Sequence, residues 1–202
     1  MTRSSDLQQF LDAAFVAVNN AATDMRSLES LSRMSSLLEM PGAERKTPGH
    51  RQPVCDAYFQ AALALETEDK ALLDIARCLR AIEPRLQWQP RTSQDGTASE
   101  NFVSSHANAT IIGRGGLEIR DDVWMGVSLL APHVRYTDHW HPPEETYLVL
   151  TDGEFMQEDH WFTPGVGGTF YNPPAIKHAM RSTDTPLLAF WALLPERRLD
   201  PA

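Results

Sequence analysis

Between Tyr136 and Gly153 the chain reads Y-T-D-H-W-H-P-P-E-E-T-Y-L-V-L-T-D-G, and this window constrains the fold more than any other. His139 and His141 are two residues apart, so on an extended strand both imidazoles leave the same face, as a pair of metal ligands must. Pro142 and Pro143 interrupt the ladder, and Glu145 then starts T-Y-L-V-L, with the β-branched and aromatic content of a strand. Glu145 and Tyr147 share a face of that strand. His178, after the turn N-P-P-A-I-K-H, is spaced to return a third imidazole to the same place.

The surrounding sequence has the same character. From Asn101 onward, short β-rich runs are separated by Gly, Pro and Asp: Thr110 to Ile112, Leu117 to Ile119, Val123 to Leu130, Val134 to Tyr136, Thr146 to Leu150, Thr169 to Tyr171 and Leu187 to Leu194. Many short strands at close spacing read as an all-β sandwich or barrel. Residues 1–83 are different. Ser5 and Gln8 form a capping-box pattern ahead of Leu7, Phe10, Leu11, Ala14, Phe15 and Val18, an amphipathic helix. Leu28, Leu31, Met34, Leu37 and Leu38 mark a second helix, stopped by Pro41-Gly42. Val54, Tyr58, Ala61 and Leu65 mark a third. Leu72, Ile75, Leu79 and Ile82 mark a fourth, with Thr67 as N-cap, Glu68 and Asp69 on its first turn and Pro84 ending it. The expected organisation is a helical segment, 1–83, packed outside a β-barrel domain, 84–202. The polar, turn-forming stretch from Gln87 to Asn101 lies just inside the second part.

Composition narrows the function classes. With 202 residues, 42% hydrophobic and 22% charged, the chain is globular. A formal net charge of −9 argues against nucleic acid and anionic lipid, both of which require clustered Lys and Arg. No stretch approaches membrane-spanning length and the N-terminus lacks the apolar core of a signal peptide, so a cytoplasmic protein is expected. Cys55 and Cys78 both fall inside helical patterns and read as buried reduced thiols.

Two or three neutral imidazoles with one carboxylate leave positions open on a divalent transition metal, which suits substrate activation more than a closed structural site. Zinc and iron head the candidates; manganese, nickel and cobalt suit the same donors. Tyr147, two residues beyond Glu145, belongs in or next to the metal's ligand sphere. A cation there favours phenolate over a phenol of ordinary pKa ~10, and a phenolate is a competent general base.

The same residues resemble the cupin superfamily. Its first motif is Gly, five residues, H-x-H, three or four residues, Glu, six residues, Gly; here His139, His141 and Glu145 match. His133 occupies the leading Gly position, and Gly153 follows one residue late behind Asp152. The second motif fits Gly167, Pro173 and His178, with Ala175 in place of Gly and Ser182 in place of Asn, so the turns are expected to be altered and the ligands kept. The N-terminal helices followed by Tyr136, His139, His141, Glu145, Tyr147 and His178 resemble, more narrowly, the bacterial cupin lyases that cleave dimethylsulfoniopropionate, the DddQ type. The resemblance implies a cupin jelly-roll barrel, mostly β with an α-helical N-terminal extension. It also implies metal ligation by His141, Glu145 and His178, with His139 as a ligand or hydrogen-bonded neighbour. Tyr147 would be the base in a β-elimination, and Tyr136 would orient the substrate. The parity of Tyr136 requires a bulge or turn before His139. For the cationic end of this small zwitterion, Trp124, Trp191, Phe190 and Tyr171 are aromatic candidates. Arg135 and Lys177 are candidates for attracting its carboxylate, Trp140 should face away, and Glu144 is not the expected ligand. The state would be monomer or homodimer. An iron cupin dioxygenase and a noncatalytic small-molecule-sensing cupin remain open on the same residues.

Overall fold

A computed structural model describes residues 2–195; the final stretch of the expected barrel domain, 196–202, lies outside the described residues. Four helices come first: α1 (Ser5–Ala21), α2 (Met25–Leu38), α3 (Pro53–Ala62) and α4 (Lys70–Ile82), with a two-residue strand, β1 (Ala43–Glu44), between α2 and α3. Ten strands follow: β2 (Trp88–Gln89), β3 (His106–Ile112), β4 (Glu118–Ile119), β5 (Trp124–Leu130), β6 (Glu144–Val149), β7 (Glu154–Gln157), β8 (His160–Phe162), β9 (Thr169–Asn172), β10 (His178–Arg181) and β11 (Leu187–Leu194). An eight-stranded sheet runs β1-β4-β3-β5-β11-β6-β9, with β2 paired onto β3; a three-stranded sheet runs β10-β7-β8.

The apolar stripes explain how helices and sheet join. In α1, Leu7, Phe10, Leu11, Ala14 and Val18 are buried, and Phe10 meets Phe190 of β11 edge-on at 6.1 Å. In α4, Leu72, Ile75, Leu79 and Ile82 are all buried, as their period requires. These residues and the inner faces of the strands form one continuous core. Close approach is built in at Gly42, where a Cβ would lie 2.7 Å from the Ile119 carbonyl, tying the end of α2 to β4.

Several expectations fail for physical reasons. Helix α1 begins at Ser5, so the N-cap is Ser4, which makes no side-chain cap bond; Gln8 instead accepts from Arg3 and donates to Asp12. For α4 the cap is Asp69, whose Oδ1 accepts from the Ala71 N–H at 2.8 Å, while Thr67 accepts from Asp69 in the preceding turn. Helix α3 ends at Ala62 and buries Val54, Cys55, Phe59 and Ala62, leaving Ala61 exposed and Tyr58 half-buried, because Phe59 packs edge-on against Trp88 at 5.6 Å. Cys55 and Cys78 are free and buried, as read.

Val134 to Tyr136 is not a strand. The backbone from 134 to 139 pairs with β10 in two isolated bridges, Arg135 to Arg181 and His139 to His178. Four steps on one side oppose three on the other, a one-residue bulge. This is the irregularity the parity of Tyr136 demands. Two of the motif positions that lack glycine are left-handed all the same: His133 has φ 59° and Ala175 φ 60°.

Candidate active site

A cavity of about 310 Å³ opens between the sheets, walled by β3, β5, β6, β11, the bulged segment and Met180 of β10. His141, Glu145 and His178 present ligand atoms that all lie within 4.8 Å of one another. The Nε2 atoms of His141 and His178 are each 3.4 Å from Glu145 Oε2. Local backbone sets this geometry. Glu145 is the inward residue at the start of β6; His178 opens β10; His141 sits in the Pro-rich turn, its carbonyl accepting from the Ala175 N–H at 2.9 Å.

Each imidazole is oriented through its other nitrogen. Nδ1 of His139, His141 and His178 pairs with the carbonyls of Thr137, Pro143 and Ile176 at 3.0, 2.9 and 2.9 Å. Carbonyls only accept, so Nδ1 carries the proton and Nε2 offers its lone pair, beside the cavity for His139 and His141 and toward Glu145 for His178. His178 Nε2 is buried with no hydrogen-bond partner. A buried lone pair aimed beside a carboxylate is what a bound cation satisfies, so the donor set fits a divalent metal. His139 is not in the three-residue group: its ring centre lies 4.1 Å from that of His178, in the cavity wall.

Electrostatics follow from burial. Burial drives the Glu145 carboxyl upward, but the neighbouring imidazoles of His141 and His178, positive when protonated, and the Asn172 amide outweigh it, leaving its pKa below the usual range. Burial, reinforced by His178, drops His139 to about 3, so this ring is neutral at neutral pH. Tyr147 is raised well above an ordinary phenol, first by burial and then by the charge of Glu145. Its ring stacks on Phe170 at 5.0 Å. Asn172 Nδ2 donates to Glu145 Oε2 at 3.0 Å, and Gln157 Nε2 donates to Asn172 Oδ1 at 2.7 Å, fixing which way that amide faces.

A model of the dimethylsulfoniopropionate lyase family matches residues 26–189. The chain belongs to the dimethylsulfoniopropionate lyase family. A curated relative, dimethylsulfoniopropionate lyase DddQ of Ruegeria pomeroyi, is 32% identical over 146 residues, covering 68% of this chain and 71% of the relative. The solved structure of DddQ from Ruegeria pomeroyi superposes with a TM-score of 0.73 at 23% identity, covering 99% of this chain and 96% of that one. A structure of the DMSP lyases RdDddP and RnDddQII gives 0.70 at 19% identity over 98% and 96%. The fold is therefore the cupin fold with N-terminal helices, and the chain is a carbon–sulfur lyase of the DddQ type.

Within this lyase-family fold the cavity sorts the remaining candidates. Tyr136, Tyr147, Trp124 and Trp191 line it. Phe190 is core, and Tyr171 lies at the α2 side, donating to Glu144 at 2.6 Å with the Arg26 guanidinium 4.7 Å above its ring. Glu144 also pairs with Arg33, which accounts for its absence from the ligand group. Arg135 pairs with Asp138 and Lys177 with Asp159, each at 2.6 Å, and neither lines the cavity. Trp140 is 65% exposed and faces away. Sequence reasoning missed Arg91, Asn108, Thr110 and Ser128 in the wall, and Asn172 behind Glu145. The alternation Asn108-Ala109-Thr110 is the signal that one face of β3 is polar.

No helix among the described residues is long and apolar enough to cross a membrane.

Proposed function

We propose that the chain cleaves dimethylsulfoniopropionate to dimethyl sulfide and acrylate by β-elimination, with Tyr147 as general base and His141, Glu145 and His178 holding one divalent transition metal. The observation that carries this reading is the clustering of two imidazole Nε2 atoms and a carboxylate at the edge of a cavity lined by two tyrosines and two tryptophans. The activity named for the Ruegeria pomeroyi relative supports the substrate.

When bound, such a metal withdraws charge from a carboxylate and acidifies the proton on the adjacent carbon. Zinc or iron suits these donors, as do manganese, nickel and cobalt. Tyr147 takes that proton; the electron pair left behind becomes the C=C bond of acrylate as the carbon–sulfur bond breaks, and sulfur leaves as neutral dimethyl sulfide. Burial and Glu145 oppose ionisation of Tyr147, so the phenolate depends on positive charge held at the triad. His139, neutral and oriented by Thr137, lines the site without adding charge. Tyr136 orients the carboxylate end. Trp124 and Trp191 offer ring faces to the sulfonium. A cavity of about 310 Å³ suits a ligand this small.

The test is anaerobic incubation of metal-replete protein with dimethylsulfoniopropionate. Acrylate by chromatography and headspace dimethyl sulfide are expected in equal amounts, lost on chelation and restored by metal. No acrylate from metal-replete protein overturns the proposal, and turnover that requires dioxygen transfers the site to oxygenase chemistry.

A further inference from the structure

A chain of polar side chains crosses three neighbouring strands under the cavity, and its direction is fixed from one end. Trp191 of β11 lies across β5 above Gly126, where a Cβ would come within 2.4 Å of the indole. Glycine there lets the ring lie flat enough for Nε1 to donate to Ser128 Oγ at 3.1 Å. An indole N–H only donates, so Ser128 accepts and its own proton goes onward, to Asn108 Oδ1 at 2.7 Å. That fixes the Asn108 amide with Nδ2 toward Tyr136, donating to the phenol oxygen at 2.9 Å. Asn108 and Ser128 are directly opposite in the β3–β5 ladder, so the register itself holds the middle of the chain. Tyr136 is 5% exposed, with its ring held edge-on by Phe102 at 4.9 Å. Its hydroxyl accepts from Asn108, and no side chain among the described residues accepts from it.

We propose that Trp191, Ser128 and Asn108 form a polarised relay that commits the Tyr136 proton to the cavity, making Tyr136 the hydrogen-bond donor to the substrate carboxylate and not a second base. This rests on the proposed elimination and divides its two tyrosines. Tyr147 has Glu145 beside it. Tyr136 has a donor behind it and so must give its proton forward. The relay also spends the Trp191 N–H, leaving only the indole face for substrate. Asn108 and Ser128 act through Tyr136 and are positioning residues.

Asn108→Asp tests the polarity. It keeps the shape and still accepts from Ser128, but the second atom becomes an acceptor, and the Tyr136 proton turns back toward it. Propionate, an unreactive carboxylate, is the probe, titrated calorimetrically into metal-replete protein, with kcat and KM for dimethylsulfoniopropionate measured alongside. Losing a hydrogen bond to a charged group predicts propionate binding weaker by about 10- to 100-fold. The decisive comparison is the Tyr136→Phe background, where Asn108→Asp should weaken propionate binding clearly less, the remainder being the repulsion that its new carboxylate exerts on a bound anion from the cavity wall. Asn108→Leu, which adds no charge, serves where the Asp variant fails to fold. It should cost a few-fold with Tyr136 present and less in the Tyr136→Phe background. Equal losses in both backgrounds, wild-type affinity in the variants, or no propionate binding by the wild-type protein overturns the relay. Wild-type protein that binds propionate through Tyr136 yet makes no acrylate instead overturns the lyase reading and leaves the relay standing.

Discussion

Tyr147→Phe separates catalysis from packing because the phenol makes two unequal contributions. The ring is 4% exposed and stacked on Phe170 at 5.0 Å, with Phe155 at 5.6 Å, and phenylalanine keeps all of this. The hydroxyl's polar neighbour is Glu145, which Asn172 also satisfies. Deleting it should cost about 1 kcal/mol of stability at most. For a domain of this size that is a Tm change of only about 2–4 °C. Loss of a general base costs about 10²- to 10⁴-fold in rate, or about 2.7–5.4 kcal/mol of barrier. The expected result is a fall in acrylate formation of at least ~10² with an almost unchanged melting curve and KM. The assay follows acrylate by chromatography, with metal content measured on the same sample so that ligand loss is not mistaken for base loss. Near-wild-type turnover in a metal-replete, folded variant refutes the assignment. Tyr136 would then have to accept a proton while its oxygen already accepts one from Asn108, and the relay would fail with it.

Two further outcomes are expected. His178→Ala should lose most bound metal by elemental analysis, since its buried Nε2 has no other partner, whereas His139→Ala should retain it, because His139 lies outside the three-residue group. Glu118→Gln should destabilise by about 3–5 kcal/mol at neutral pH, because the carboxylate is held by Arg3 at 2.6 Å, the Gly42 N–H at 2.9 Å and Arg120 at 3.2 Å. Burial raises this carboxyl, yet those partners bring its folded pKa below 4.5, so its stabilisation is present above the unfolded value and fades as pH falls through the folded one. The gap in Tm between the two proteins should therefore be widest near pH 7 and close below about pH 4.5; a gap that persists unchanged in acid refutes the linkage.

What the sequence made legible follows from how locally each feature is encoded. The stripes of α1 and α4 are written in single residues at helical spacing, and Leu7, Phe10, Leu72 and Ile75 are buried accordingly. Strands β7, β8 and β10, reading E-F-M-Q, H-W-F and H-A-M-R, contain no β-branched residue and were missed. They form a sheet because β7 pairs with both neighbours and β10 carries the bridges to the bulged segment, which are tertiary facts. Chemistry was legible at His141, Glu145 and His178 because histidine is scarce in the chain and its spacing to the glutamate is specific. Asn108 and Ser128 were not. A polar residue on a strand ordinarily faces solvent, and only the β3–β5 register reveals that these two face each other beneath a cavity.

The turns show how the ligand spacing survives without the glycines that usually permit it. A non-glycine residue in the left-handed region costs about 1–2 kcal/mol. At His133 that conformation is braced by its N–H on the Thr183 carbonyl at 2.9 Å, while Ser182 Oγ donates to Ala131 O at 2.5 Å and accepts from the Val134 N–H at 2.9 Å. At Ala175 the N–H donates to the carbonyl of His141 itself at 2.9 Å. Each strained residue is thus held by a hydrogen bond of the kind worth about 0.5–1.5 kcal/mol, comparable to the strain. The Ala175 bond does a second thing: it ties the turn before His178 directly to the turn carrying His141. Strain at Ala175 and alignment of the two imidazoles are therefore parts of one arrangement, and the backbone geometry, more than the residue type at the turn, is what the ligand triad requires.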